Sequence, residues 1–332
     1  MDQERLRVAI LDDFEGWLDV HPAIAALRAR AEITVFREPL GDGIAQSLAG
    51  FHAVCLVRER TAFPAALIES LPALRYLAFT GARNPSCDQQ AAAARAIAVS
   101  NTAGGPSKRS TAELAWALAM AADKQLVAAD AGMRAGRWRA DAQGRAYPLP
   151  GILEGRTLGL LGLGEIGSIM AGFGRAFGMR VIAWSPNLTD ERAARGGAER
   201  VARQELFEQS DVLSLHMVLA DSTRGIVGAR DLAAMKPGSI LVNTSRAGLI
   251  DMAALPLALQ AGRPGHAALD VFEHEPVVAD DPLLGLARLT LAPHLGYVND
   301  RVFEIFATGL AEVITGWIEG RPVRVVNGVG VA

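Results

Sequence analysis

Thiols are scarce in this chain: 332 residues carry only Cys55 and Cys87, and no C-x-x-C. That excludes a disulfide-stapled secreted scaffold and a thioredoxin-like redox pair, leaving two buried or idle thiols in a reducing cytoplasm as the expectation. An excess of either charge is also missing. Lys and Arg number 33 and Asp and Glu 36, a formal charge of −3 with a pI near 6.1. Nucleic acid as a partner would want a concentrated basic face, which this balance does not offer. No uncharged apolar run reaches membrane-spanning length, so a membrane is not an expected partner either. Met1 to Arg7 is polar and mixed in charge, and a secretory leader is not expected there. Internal repeats and low-complexity tracts are absent, and no metal is expected.

What is present is ordinary in bulk and specific in pattern. Half of the residues are hydrophobic and 21% are charged, the balance of a globular protein, and the length suggests about two domains. One stretch organises the rest. The apolar run Thr157–Leu161 suits a buried parallel strand and leads straight into Gly162-Leu163-Gly164-Glu165-Ile166-Gly167, after which Ser168 to Gly178 can continue as a helix. In such a G-x-G-x-x-G turn, the first glycine makes the tight bend and the second lets a pyrophosphate approach the backbone. The third lets the helix pack close on its strand. The pyrophosphate then lies over the free N–H groups and the positive end of that helix. Three glycines alone would suit any glycine-rich turn; the strand-then-helix context points to a dinucleotide site.

The first hundred residues alternate apolar runs with helical stretches. Val8–Leu11, Ile33–Phe36, Ala53–Val57, Leu74–Phe79 and Ile97–Val99 read as strands, with helices at His21–Ala31 and Ala65–Leu71. Such alternation implies parallel strands joined by crossover helices. Thr80-Gly81-Ala82-Arg83-Asn84-Pro85-Ser86 follows the fourth strand, and it fits a ligand loop at a carboxyl strand end and a plain surface turn equally well. Asn101 to Arg109 reads as a loop, and Ser110-Thr111-Ala112-Glu113 as a capping box opening a helix over Thr111 to Asp130. Ala135 to Glu154, with Trp138, Tyr147, Pro148 and Pro150, is irregular; an arm over a partner subunit is one reading. From Arg156 a second α/β set begins, with strands at Met179–Trp184, Val212–Leu215, Ser239–Asn243, Ala267–Val271 and Leu289–Leu291. Helices fit Gly228–Met235, Met252–Gln260 and Arg301–Glu319, and Arg321–Asn327 is a last strand or a tail.

Three strand ends after the glycine turn carry side chains with chemistry. Arg246 closes Asn243-Thr244-Ser245-Arg246, where a guanidinium can clamp a carboxylate through two parallel hydrogen bonds. Asp270-Val271-Phe272-Glu273-His274-Glu275-Pro276 is rich in acids, which on its own suits a solvated loop. His294, in Pro293-His294-Leu295-Gly296, follows the next strand. An acid and a histidine after successive strands can pair, which favours the imidazolium and fixes the tautomer.

In this order, Gly162 to Gly167, Asn243 to Arg246, Asp270 to Pro276 and Pro293-His294 resemble the D-isomer-specific 2-hydroxyacid dehydrogenases, as does Met235-Lys-Pro-Gly-Ser-Ile-Leu-Val-Asn243. The likeness runs from about Leu74 to Ala311. It implies two doubly wound parallel-sheet domains: a flavodoxin-like substrate-binding domain over 1–103 and 300–332, and an NAD(P)-binding Rossmann domain over 104–299. It further implies that Arg246 orients the substrate, that His294 is the acid/base, and that Glu275 holds and charges His294. Thr80, Gly81, Ala82 and Arg83 would offer backbone N–H groups to the carboxylate. Glu165, Ile166, Ser185, Thr244, Ser245, Asp270, His294 and Gly296 would join the three glycines around the cofactor. The expected activity is hydride transfer between NAD(P)H and C2 of a small 2-oxo or D-2-hydroxy acid, in a homodimer.

The chain departs from the family pattern in places. Ala247 replaces a common glycine after the arginine, and Val218 and Ala220 stand where Pro and Thr are usual after His216. The strand end where an acid should grip the ribose 2′-hydroxyl reads Ser185-Pro186-Asn187, with Arg192 and Arg195 beyond it, so NAD and NADP both remain open. A cofactor-sensing corepressor-like binding protein on the same scaffold is the alternative function. Formate dehydrogenases fit less well, because Glu275 stands where they carry Gln.

Overall fold

The computed structural model describes residues 5–147 and 149–330. Pro148, one of the residues singled out in the irregular segment, lies outside the described residues. The chain divides into two compact units, Met1–Pro106 with Asn299–Ala332, and Ser107–Val298.

The first unit is built on a five-stranded sheet of β1 (Arg7–Ile10), β2 (Glu32–Val35), β3 (Ala53–Leu56), β4 (Tyr76–Phe79) and β5 (Ala98–Asn101), in the order β2-β1-β3-β4-β5. Every pairing is parallel. β3 and β4 are buried along their whole length, which is why they read as unbroken apolar runs rather than alternating ones. The helix Asp300–Ile318 returns to cover this sheet: Trp317 stacks on Tyr76 with ring centres 5.1 Å apart, and the Tyr76 hydroxyl donates to the Val313 carbonyl at 3.2 Å. Residues 321–327 form a tail with one antiparallel bridge, Ser100 to Val325, fixed by Asn327. That side chain accepts from Val99 N–H and donates to the Ile97 carbonyl.

The second unit carries seven strands: β6 (Thr157–Leu161), β7 (Arg180–Trp184), β8 (Glu199–Arg200), β9 (Val212–Leu215), β10 (Ile240–Asn243), β11 (His266–Leu269) and β12 (Leu289–Leu291). Their order is β12-β11-β10-β9-β6-β7-β8, again with parallel pairings throughout. Apolar clusters fill both faces of the sheet, one around Leu158, Leu160, Met170 and Val242 and one around Phe207, Leu213, Leu241 and Leu249. Both units are thus doubly wound α/β layers, as the family resemblance implies, with the parallel strands that the alternation of runs predicts.

Local differences have physical causes. The helix expected from Thr111 begins four residues earlier, spans Ser107–Asp123, and is separated from Leu126–Arg134 by Gln125 in the left-handed region at φ 54°. Ser110 therefore lies inside the helix and caps nothing. Thr111 bonds back to the Ser107 carbonyl at 2.9 Å, and Glu113 pairs with Arg109 one turn away at 3.1 Å. β8 and the short helices Ile44–Leu48, Gln89–Ala94, Asp190–Gly196 and Arg203–Gln209 have no counterpart in the sequence reading.

Candidate active site

The glycine turn follows β6 directly. Gly162 sits at φ +100°, and a Cβ there would lie 2.5 Å from the His216 carbonyl oxygen, so neither the conformation nor the space admits a side chain. Gly167 is pressed onto the Gly162 carbonyl, closing the turn on itself, while Gly174, two turns on, lets the helix Glu165–Ala176 meet Leu158 of the strand. Gly174 thus adds a second close approach to that of Gly167. Gly164 caps that helix without a side-chain bond, and open space lies where its Cβ would be. The first-turn N–H groups are left for an external acceptor.

The neighbouring strand ends complete this rim. At the end of β10, Asn243 Oδ1 accepts from Ser245 N–H at 3.0 Å, and its amide donates to the Arg246 carbonyl at 2.9 Å. Ser245 Oγ donates to the Leu215 carbonyl at 2.8 Å, tying the loop to β9. Thr244 is 7% exposed, and its Oγ1 is buried without a hydrogen-bond partner among the described residues. An orphaned hydroxyl, an uncapped helix and an open glycine are what a bound dinucleotide would satisfy, so the residues fit the cofactor that the turn implies. Ser185 follows β7 with no acid in the turn, and Arg192 Nη1 donates back to the Asn187 carbonyl at 2.8 Å. The pair Ser214 Oγ and His216 Nε2 lies 2.9 Å apart beside the turn, and burial pushes the imidazole down to about 3, keeping it neutral.

His294 and Glu275 meet. Nδ1 of the histidine lies 2.6 Å from Oε2 of the glutamate, both side chains about one-third exposed at 31% and 33%. Glu275 Oε1 accepts from Phe272 N–H at 2.8 Å, so the carboxylate is held from both ends. Its partial burial acts to raise the carboxyl, but the hydrogen bond and charge of His294, the Phe272 N–H and the charge of Arg246 outweigh it. The net shift is downward. Nε2 of His294 has no hydrogen-bond partner among the described residues. Glu273 and His274, between these groups, are exposed, as a solvated loop would have them.

Asp270 behaves differently from its acidic neighbours. It is fully buried, and its two oxygens accept from Leu295 N–H at 2.7 Å and Gly296 N–H at 2.9 Å. Burial pushes its carboxyl up to about 6, against the pull of these N–H groups and of His294. His294 itself sits at φ 54°, a left-handed conformation that this grip on the next two residues helps to hold. Thr111 Oγ1 reaches the Gly296 carbonyl at 3.0 Å from the helix Ser107–Asp123.

In the first unit, the loop after β4 is knit to its neighbours. Thr80 N–H donates to the Leu56 carbonyl and Gly81 N–H to Thr102 Oγ1, both at 2.9 Å. Of the four N–H groups expected to meet a carboxylate, only those of Ala82 and Arg83, both exposed, have no hydrogen-bond partner among the described residues. The Arg58 guanidinium lies against Gly81, its backbone N–H donates to Thr80 Oγ1 at 2.9 Å, and its carbonyl accepts from Asn84 at 2.6 Å. The sequence reading passed over Arg58. Its signal was the one used for Arg246, a guanidinium just past the carboxyl end of a parallel strand.

The comparisons with known proteins agree with this geometry. Residues 116–296 match the family model described as D-isomer specific 2-hydroxyacid dehydrogenase, NAD binding domain. The glyoxylate reductase of Aeropyrum pernix is 38% identical over 264 residues, covering 79% of this chain and 78% of that protein. The D-3-phosphoglycerate dehydrogenase of Mycobacterium tuberculosis is 35% identical over 291 residues, 88% of this chain and 54% of that one. Among solved structures, the phosphoglycerate oxidoreductase of Vibrio cholerae O395 is similar at a TM-score of 0.87 and 37% identity, covering 95% of this chain and 99% of that one. Fold, glycine turn and relatives together define an NAD-dependent oxidoreductase. The chain belongs to the D-isomer-specific 2-hydroxyacid dehydrogenases.

Proposed function

We propose that this enzyme reduces a small 2-oxo acid to its D-2-hydroxy acid with NADH or NADPH, and runs the reverse oxidation. The observation that carries the reading is the 2.6 Å contact between His294 Nδ1 and Glu275 Oε2, which leaves Nε2 as the only ring nitrogen for a reacting oxygen. The nicotinamide, when bound, supplies the hydride to C2 in reduction or takes it in oxidation. As the C2–O π electrons collapse onto oxygen, the His294 imidazolium gives that oxygen its proton through Nε2, and Glu275 steadies the charge. Arg246 holds the substrate carboxylate and polarises the carbonyl. On the substrate side, the N–H groups of Ala82 and Arg83, with Arg58 beside them, are the anion-binding groups that 1–103 contributes; with 300–332 this segment is the substrate domain, and 104–299 holds the cofactor.

Two further parts of the reading concern the whole molecule. The segment after Gln125 exposes large apolar side chains, Trp138 at 75% and Leu149 at 96% among them, and a second copy of the chain is the cover we assign to it. The homodimer would work in the cytoplasm, where both thiols stay reduced; burial pushes Cys55 and Cys87 up to about 12.

The test is a panel of glyoxylate, hydroxypyruvate, pyruvate and phenylpyruvate with NADH and with NADPH, followed at 340 nm. Turnover of at least one acid is expected. Tight NADH binding without turnover of any would instead favour a corepressor-like binding protein, and size-exclusion with light scattering decides the dimer.

A further inference from the structure

The first residue of the helix that follows the glycine turn is an acid, Glu165. A carboxylate in a first turn suits the helix itself. It is badly placed for a dinucleotide, because the same N–H groups would face a pyrophosphate carrying two negative charges. In this chain that charge is met. Lys108, on the first turn of the helix Ser107–Asp123, places its Nζ on Glu165 Oε2. Both side chains are well exposed, 64% and 67%, so the pair contributes little to stability. Its consequence is local: it cancels the acid on the residue next to Gly164, whose Cβ position faces open space.

We propose that Lys108 is a cofactor-binding residue, one whose ammonium neutralises Glu165 and is shared with the pyrophosphate oxygens when the dinucleotide binds. An ammonium has three donors on a flexible stem, so it can keep Glu165 while reaching a phosphate oxygen. Nothing else among the described residues pairs with Glu165. The proposal rests on the reading of Gly162–Gly167 as the pyrophosphate turn.

The experiment is calorimetric or fluorescence titration of the full-length protein with NADH, ADP and adenosine, at low and at physiological salt. Lys108→Ala should weaken NADH and ADP by about five- to twentyfold at low salt, less at higher salt, and leave adenosine unchanged. Lys108→Arg should keep most of the affinity. Lys108→Ala combined with Glu165→Gln should recover to within about threefold of wild type, because both the charge and its counter-charge are gone. Affinity of Lys108→Ala for ADP within twofold of wild type would overturn the assignment, as would an equal loss for adenosine. A wild-type protein that bound adenosine and ADP alike would instead fail the reading of the glycine turn.

Discussion

Asp270 is a buried carboxylate whose ionisation the fold tolerates at a cost, and that cost can be measured. Its carboxyl is pushed up to about 6 by burial, from an ordinary value near 4. A raised acid stabilises the folded state at pH values below its unfolded value, and that contribution is lost as pH rises through its folded value. The window is therefore about pH 4 to 7. For a fully buried group moved this far, linkage gives about 2 kcal/mol lost between pH 4.5 and 7.5. Asp270→Asn removes the titration and keeps the shape. One amide oxygen still accepts from Leu295 or Gly296, while the NH2 group opposes the other N–H, as a protonated carboxyl would also leave one of them poorly served. The wild-type protein should then lose about 2 kcal/mol relative to the variant on going from pH 4.5 to 7.5, which for a unit of this size is about 4–8 °C in melting temperature. Differential scanning calorimetry of both proteins across this range supplies the curves. Stability gained at pH 7.5 should come with slower turnover, because the turn after His294 is held less firmly. Melting temperatures of the two proteins that ran parallel from pH 4.5 to 7.5 would refute the reasoning.

Three other substitutions test the remaining assignments. Arg246→Lys keeps the charge but loses the two-pronged geometry, so KM for the best 2-oxo acid should rise by about tenfold or more; kcat/KM near wild type would remove Arg246 from carboxylate binding. Glu275→Gln removes the carboxylate that holds His294 Nδ1 at 2.6 Å, so kcat for reduction should fall by about tenfold or more with NADH affinity intact. An unchanged kcat would leave Glu275 an ordinary loop acid. Ser185→Asp puts a negative charge at the strand end that lacks one, and NADPH should weaken while NADH is spared; equal losses with both cofactors would show that Ser185 does not meet the ribose.

The sheets were the most legible part of the molecule, because parallel strands buried on both faces leave continuous apolar runs such as Ala53–Leu56 and Ile240–Asn243. β8 was invisible for the opposite reason: Glu199 and Arg200 are two exposed charged residues that only the neighbouring β7 makes into a strand. The helix start at Ser107 was missed because a Ser-Thr-x-Glu pattern reads the same as a cap or as interior positions, and only the Thr111 back-bond decides between them. Within the site, the partners of Glu275 and His294 could be guessed from two strand ends in sequence order. Those of Asp270 could not, since its acceptors face two backbone N–H groups, which no side-chain pattern records. The commitment of the Gly81 N–H was hidden likewise, in a bond to Thr102 beyond the next strand, and that of the Thr80 N–H in a bond to the Leu56 carbonyl.

The first unit is split along the chain, and this bears on how the protein is made. β1 to β5 leave the ribosome early, yet the helix that stacks Trp317 on Tyr76 is synthesised only after all of Ser107–Val298. The second unit is continuous and can close as soon as it has emerged. Until then the apolar covering of β4 and β5 is incomplete, and the nascent chain carries a half-clad sheet through most of its synthesis. Chaperone demand should therefore concentrate on that sheet, although its strands are translated before those of the second unit. A chain truncated after Val298 and released should hold a folded second unit tethered to a first unit that binds holdases.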